Sequence, residues 1–211
     1  MAEKGLRMNA KKNKILLEIN GKPLFTYPLE LFKKYNFEII CVINKDDEDY
    51  LKPYLKNIKY VIGGATRAMS VKNGLDAVTG DYVLIHDSAR AFINSNTIDE
   101  ILNKKDLNKA ILTYLDVKDT IKIKDNDKYK TLNRNDLIAA STPQCASLKN
   151  FKYAYKMAFN DNYLSTDDIS LIEKYLPNIE IDYIKANDED FKITTKLDYE
   201  LAKIIGGSNN D

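Results

Sequence analysis

Along this chain of 211 residues, short β-branched runs alternate with stretches whose apolar positions recur at helical spacing. Ile39 to Ile43 (IICVI), Lys59 to Ile62 (KYVI) and Tyr82 to Ile85 (YVLI) are brief and continuous, as strands covered on both faces should be. Between them, Pro23 to Tyr35 carries Leu24, Tyr27, Pro28, Leu31 and Tyr35, and Arg67 to Val78 carries Met69, Val71, Leu75 and Val78; both patterns predict amphipathic helices. Ser95 or Asn96 is placed to cap another helix running toward Asn103. Leu148 to Asn160 and Thr166 to Tyr175 are predicted helices, Glu180 to Ile184 a strand, and Lys196 to Ile205 a closing helix with Gly206 and Gly207 just past its end. The tail Ser208 to Asp211 is expected to fray. This alternation predicts βαβ units, hence an α/β domain with a mostly parallel sheet in a three-layer sandwich. One stretch breaks the pattern: IKIKDNDKYKTLNR alternates around Asp-Asn-Asp and predicts a β-hairpin, a protruding arm inserted over residues 117–142.

Length and charge narrow the field. The chain suits a single domain, 1–211, with a sizeable core. Its 32 Lys and Arg against 31 Asp and Glu leave a formal charge of +1, which gives no global field for a nucleic acid or an anionic membrane. An anionic ligand must therefore be gripped locally. No apolar run approaches the roughly 20 residues of a membrane-spanning helix, and the basic amino terminus lacks the apolar segment of a signal peptide. Cys41 and Cys145 make neither a disulfide framework nor a metal spacing, so a reducing cytoplasm is the expected compartment. His86 is the single histidine, which excludes a two-histidine metal site.

Four places could carry chemistry. In EKGLRMNAKKNK, the cations Lys4, Arg7, Lys11, Lys12 and Lys14 crowd around Gly5, as a polyphosphate grip requires and as a solvated terminus also allows. HDSAR follows the strand YVLI directly, so Asp87 lies where open α/β sheets bind ligands and could hold a divalent cation, or it could simply cap the next turn. His86 reads as a hydrogen-bonded core residue rather than a base. GGATRAMSV opens a helix after a tight turn whose backbone could face a planar ligand, braced by Arg67 and Ser70, although an ordinary strand-to-helix turn uses glycines equally well. FKITT presents Lys192 beside Asp188, Glu189 and Asp190, facing either a ligand or those acids.

The order of these motifs says more than any one of them. GLRM, Lys14 with NGKPL, GGATRxxSV, HDSAR, KDTIK, the Arg of NRNDL, STPQ, TDD and KITT run in a sequence that closely resembles the 2-C-methyl-D-erythritol 4-phosphate cytidylyltransferase family over essentially the whole chain. A sister group, the ribitol-5-phosphate cytidylyltransferases, shares the scaffold; Ser88 leans toward it, whereas Ala89, DTIK and TDD lean away.

The resemblance implies a Rossmann-like nucleotidyltransferase that joins CTP to a sugar-alcohol phosphate with Mg²⁺, giving a CDP-alditol for isoprenoid precursor synthesis and pyrophosphate. By the same resemblance, Arg7, Lys14 and Lys192 would be catalytic, facing the triphosphate, and Asp87 would hold Mg²⁺. Ala2, Gly5, Gly64 and Ser70 would border the nucleotide, and Thr120, Arg134 and Thr142 the acceptor phosphate. The arm would reach across a homodimer. Neither nucleic acid nor a membrane is implied as a partner.

Three departures stand out. By the resemblance, an apolar strand should precede the Gly-rich turn; this chain is expected to lack it, and Glu3 would occupy a glycine position of that turn. Both features also admit an amino-terminally truncated, nucleotide-binding pseudoenzyme. Asp190 stands where the family commonly has Asn, and is expected to add negative charge beside a phosphate site.

Overall fold

The computed structural model describes residues 16–163 and 165–208. It opens with a two-stranded ribbon, β1 (Glu18–Ile19) and β2 (Lys22–Pro23), folded around Asn20 and Gly21, both at positive φ. The chain continues through α1 (Thr26–Phe32), β3 (Ile40–Ile43), α2 (Glu48–Leu51), β4 (Lys59–Ile62), α3 (Arg67–Ala77), β5 (Tyr82–Ile85), α4 (Ser95–Lys104) and β6 (Lys109–Asp116). It then forms β7 (Lys122–Asp125), β8 (Lys128–Thr131), β9 (Ile138–Ser147), α5 (Leu148–Asn160), α6 (Ile169–Tyr175), β10 (Glu180–Lys185) and α7 (Lys196–Ser208).

The main sheet has the order β10–β6–β9–β5. β10 runs parallel to β6, and β9 alone is antiparallel to its neighbours β6 and β5. β3 and β4 form a separate parallel pair. Ile40, Cys41 and Val42 on one side and Val83, Leu84 and Ile85 on the other line one cleft. Among the described residues, no strand ladder joins β3 to β5.

Helices cover both faces of the main sheet because successive β6 side chains point opposite ways. Ala110 and Leu112 pack with Val83 of β5 and with Phe151, Ala154, Ile169 and Ile172 from α5 and α6. Ile111 packs on the other face with Ile98 and Ile101 of α4 and with Ile184. The expected three-layer α/β architecture, mostly parallel, is what the chain adopts.

Several local expectations need correction. α1 begins at Thr26 because Pro23 belongs to the β1–β2 ribbon, and the Thr26 hydroxyl donates to the Pro23 carbonyl at 2.7 Å. Asn94, not Ser95 or Asn96, caps α4: its Oδ1 accepts the Asn96 amide at 2.8 Å. α6 starts at Ile169 rather than Thr166, since Ser165, Asp167 and Ser170 tie the preceding residues into a turn. α7 runs through Gly206 and Gly207 instead of ending before them. There the helix lies against the ribbon so closely that a Cβ on Gly206 would sit 2.6 Å from an Ile19 methyl carbon. Glycine is thus required by packing and not by a cap. The hairpin is confined to Lys122–Thr131, and Ile138–Thr142 begin β9, paired with β6 from Asp116 onward.

Candidate active site

Asp87 follows β5 by two residues, and its Oδ2 lies 2.7 Å from the Lys192 Nζ, with 23% and 31% of the two side chains exposed to the cleft. Burial alone would push the Asp87 carboxyl up. The charge and hydrogen bond of Lys192, with Arg67 beyond, outweigh it and hold the group at about 2, so it is ionised at neutral pH. The two segments are also joined through their backbones, Ile193 N–H donating to the Ala89 carbonyl at 2.9 Å.

His86 is locked by its neighbours in one neutral tautomer. Its Nε2 lies 3.1 Å from the Arg90 carbonyl, which can only accept, so Nε2 carries the proton. Nδ1 then accepts from the Thr142 hydroxyl at 3.1 Å, and that same oxygen accepts the Asp87 N–H at 3.1 Å. Burial pulls the imidazole down to about 4, below any value suited to a general base at neutral pH. His86 is therefore a fixed strut that, through Thr142, orients the Asp87 backbone.

The Gly-Gly turn after β4 forms the adjoining wall of the cleft. Gly64 N–H donates to Ser70 Oγ at 3.1 Å, and Ser70 Oγ donates to the Thr66 carbonyl at 2.9 Å. A Cβ on Gly64 would stand 2.4 Å from the Met69 Cβ, so no other residue fits without moving α3. Thr66 caps α3 by accepting the Met69 amide at 3.1 Å. At the first position of that helix, the Arg67 guanidinium grips buried Asp168 through two bonds of 2.8 and 2.7 Å.

Gly64, Ser70, Asp87 and Lys192 thus border one cleft. Thr142 lies just beneath it, 4% exposed, with its hydroxyl already committed to Asp87 and His86. That placement makes it an internal support rather than a free ligand for the acceptor. Thr120 and Arg134 lie on the exposed arm outside this cleft, where Arg134 Nη1 donates to the Lys118 carbonyl at 3.0 Å. Ala2, Gly5, Arg7 and Lys14 are outside the described residues, as are Glu3 and the final residues 209–211.

Sequence reasoning missed the bracing beneath the cleft. Gln144 Oε1 accepts the amides of Asp168 and Ile169 at 2.7 and 2.9 Å, and the Tyr155 hydroxyl donates to Asp168. STPQ and TDD each stood out as motifs, but nothing in either names the other as partner. Asp190, expected beside a phosphate, is 1% exposed and turned toward Ser141, away from the cleft.

Open α/β sheets bind their ligands outside the carboxyl ends of their strands, and here the Asp87–Lys192 pair and the Gly-Gly turn after β4 border one cleft at the ends of β5 and β4. A family model for 2-C-methyl-D-erythritol 4-phosphate cytidylyltransferase matches residues 1–207. The protein of that name from Prochlorococcus marinus (strain MIT 9312) is 38% identical over 214 residues, covering 97% of this chain and 94% of its own. Its namesake from Bacillus mycoides (strain KBAB4) is 34% identical, covering 96% and 93%. The crystal structure of 4-diphosphocytidyl-2C-methyl-D-erythritol synthase from Anaerococcus prevotii matches with a TM-score of 0.82 at 32% identity, over 90% of this chain and 92% of that one. The chain belongs to the 2-C-methyl-D-erythritol 4-phosphate cytidylyltransferase family.

Proposed function

We propose that this protein transfers the cytidylyl group of CTP to 2-C-methyl-D-erythritol 4-phosphate, releasing pyrophosphate, in isoprenoid precursor synthesis. The observation that carries this reading is the Asp87–Lys192 pair at the rim of the Gly64–Ser70 turn. A phosphate oxygen of the acceptor attacks the α-phosphorus of CTP; the bond to the bridging oxygen of the β-phosphate breaks, and pyrophosphate leaves. The nucleophile is already an anion and needs no general base, which agrees with a buried neutral His86. What the chain must supply is in-line positioning and relief of repulsion between two polyanions. Lys192 can exchange the Asp87 carboxylate for a phosphate oxygen as negative charge grows at the α-phosphate.

Among the described residues, no three His, Cys, Asp or Glu side chains gather as a metal cage. A lone, ionised, partly exposed carboxylate nevertheless fits Mg²⁺, which is commonly held by one or two carboxylates together with substrate phosphates and water. Asp87 would hold that ion. It would supply a further positive charge on the phosphates.

Pyrophosphate release tests the function: with CTP and Mg²⁺ it is expected with methylerythritol phosphate and about 100-fold less with ribitol 5-phosphate, since polar contacts to hydroxyls discriminate strongly. No release with either acceptor would favour a nucleotide-binding pseudoenzyme. Preference for ribitol phosphate would move the chain to the sister activity.

Two further aspects belong to this proposal. The protein works in the cytoplasm, in keeping with two buried free thiols and with no described helix long and apolar enough to cross a membrane. It acts as a homodimer joined by the arm, because β7 and β8 are exposed throughout and present Ile123 and Tyr129, and a lone hairpin is marginal in water. If Arg134 completes the partner's cleft, mixing inactive Asp87→Ala and Arg134→Ala chains should restore about a quarter of wild-type activity, from the undamaged cleft of each heterodimer. No recovery after verified subunit exchange would place each site within one chain.

A further inference from the structure

Three segments meet beneath the Asp87–Lys192 pair, and the buried side chain of Asp190 links two of them directly. Its Oδ2 accepts from the Ser141 hydroxyl at 2.9 Å, with each residue 1% exposed. Its carbonyl accepts from Arg90 Nη1 at 2.7 Å, which brings in the third segment. Ser141 adjoins Thr142, whose hydroxyl orients the Asp87 backbone, and Asp190 lies two residues before Lys192. Asp190 Oδ1 and Arg90 Nε are buried without a hydrogen-bond partner among the described residues.

We propose that Asp190 is a positioning residue: by gripping Ser141 it fixes the segment that carries Lys192 against the strand that carries Thr142, holding the Lys192 ammonium opposite Asp87. The inference rests on the transferase reading above. A carboxylate left with one side-chain hydrogen bond and one bare buried oxygen is poorly suited to carrying charge. Arg90 and Asp87 face it from the segment after β5, Ser141 from β9, and Lys192, Asp188 and Glu189 belong to its own segment. Burial dominates, with Asp87 adding to it against Arg90 and Ser141, and pushes the carboxyl up to about 7. In its protonated form Asp190 has the shape of asparagine and keeps the grip on Ser141. As pH rises through that value the wild type gains a buried negative charge that repels the Asp87 carboxylate and disturbs its pairing with Lys192, a charge that asparagine never carries.

The test compares wild type, Asp190→Asn, Asp190→Ala and Ser141→Ala for pyrophosphate release at two pH values, and for hydrogen exchange at the Ile193 amide. Near pH 6.5, Asp190→Ala is expected to lower kcat about 10-fold while KM for CTP changes less than about threefold, and Asp190→Asn to stay within about twofold of wild type. Near pH 8.5, Asp190→Asn should exceed wild type by about threefold. Ser141→Ala should follow Asp190→Ala in direction, covering the case in which that variant fails to fold. Ile193 exchange should quicken in both alanine variants and not in Asp190→Asn. Wild-type kcat in the alanine variants, an Asp190→Asn as slow as Asp190→Ala near pH 6.5, or unchanged exchange would overturn the proposal. A wild type that releases no pyrophosphate would overturn the transferase reading instead, and the exchange comparison would still decide whether Asp190 holds the loop.

Discussion

Replacing Asp168 with alanine should destabilise the protein by about 3–5 kcal/mol, the range seen when one partner of a buried ion pair is removed. Asp168 is fully buried and receives both arms of Arg67 and the Tyr155 hydroxyl. Burial works against the charge on Arg67, but its bonds to Asp168 more than compensate and raise its pKa. Without the carboxylate, a largely buried guanidinium and a buried phenol lose their acceptor together. Urea unfolding at neutral pH measures the loss. Arg67→Met combined with Asp168→Leu should recover much of it, because a neutral pair of similar volume leaves no charge stranded. A single-variant loss below about 1 kcal/mol would mean that water reaches the pair and that it contributes as a surface contact does.

Asp87→Ala should reverse that balance, with a modest loss of stability and a large loss of turnover. A carboxyl at about 2 instead of 3.8 contributes about 2 kcal/mol at neutral pH. The sign follows from the lowered value: the contribution is complete above pH 3.8 and fades as pH falls through about 2. The melting difference between variant and wild type should accordingly shrink in acid. Turnover should fall by about 100-fold or more, because under the proposed role Asp87 would hold Mg²⁺ against phosphates whose negative charge grows in the transition state. Steady-state kinetics over a range of Mg²⁺ would check it, with Asp87→Asn as slow as Asp87→Ala. A variant that keeps wild-type kcat would remove Asp87 from the chemistry.

The sequence by itself determined the elements whose pattern is local. Short apolar runs mark strands, and KYVI and YVLI fall where the pattern places them, although only Val83 among their residues is buried and Lys59 is exposed. Leu148–Asn160 likewise matches to the residue, because its apolar period and its Ser147 cap are both written in consecutive positions. The order of short motifs, from GLRM to KITT, was enough to indicate the family.

β6 and β9 escaped notice for opposite reasons. KAILTYLD is an apolar run that fits a buried helix as well as a strand. IAASTPQCAS looks like a loop, yet Ser141, Thr142 and Gln144 are buried in it. Their polar groups are satisfied by partners far along the chain: Gln144 by the start of α6, Thr142 by His86 and Asp87, Ser141 by Asp190. Polarity suggests exposure only when the partner is water, and which protein group replaces water is settled by packing. The same holds for Asp190, whose sequence position suggests a charge facing the ligand but which folding turns inward, and for Gly206, kept in the last turn of α7 by the closeness of Ile19. Residues close in sequence dictate periodicity and caps, whereas contacts such as Arg67–Asp168, across 101 positions, come into being only when the layers assemble.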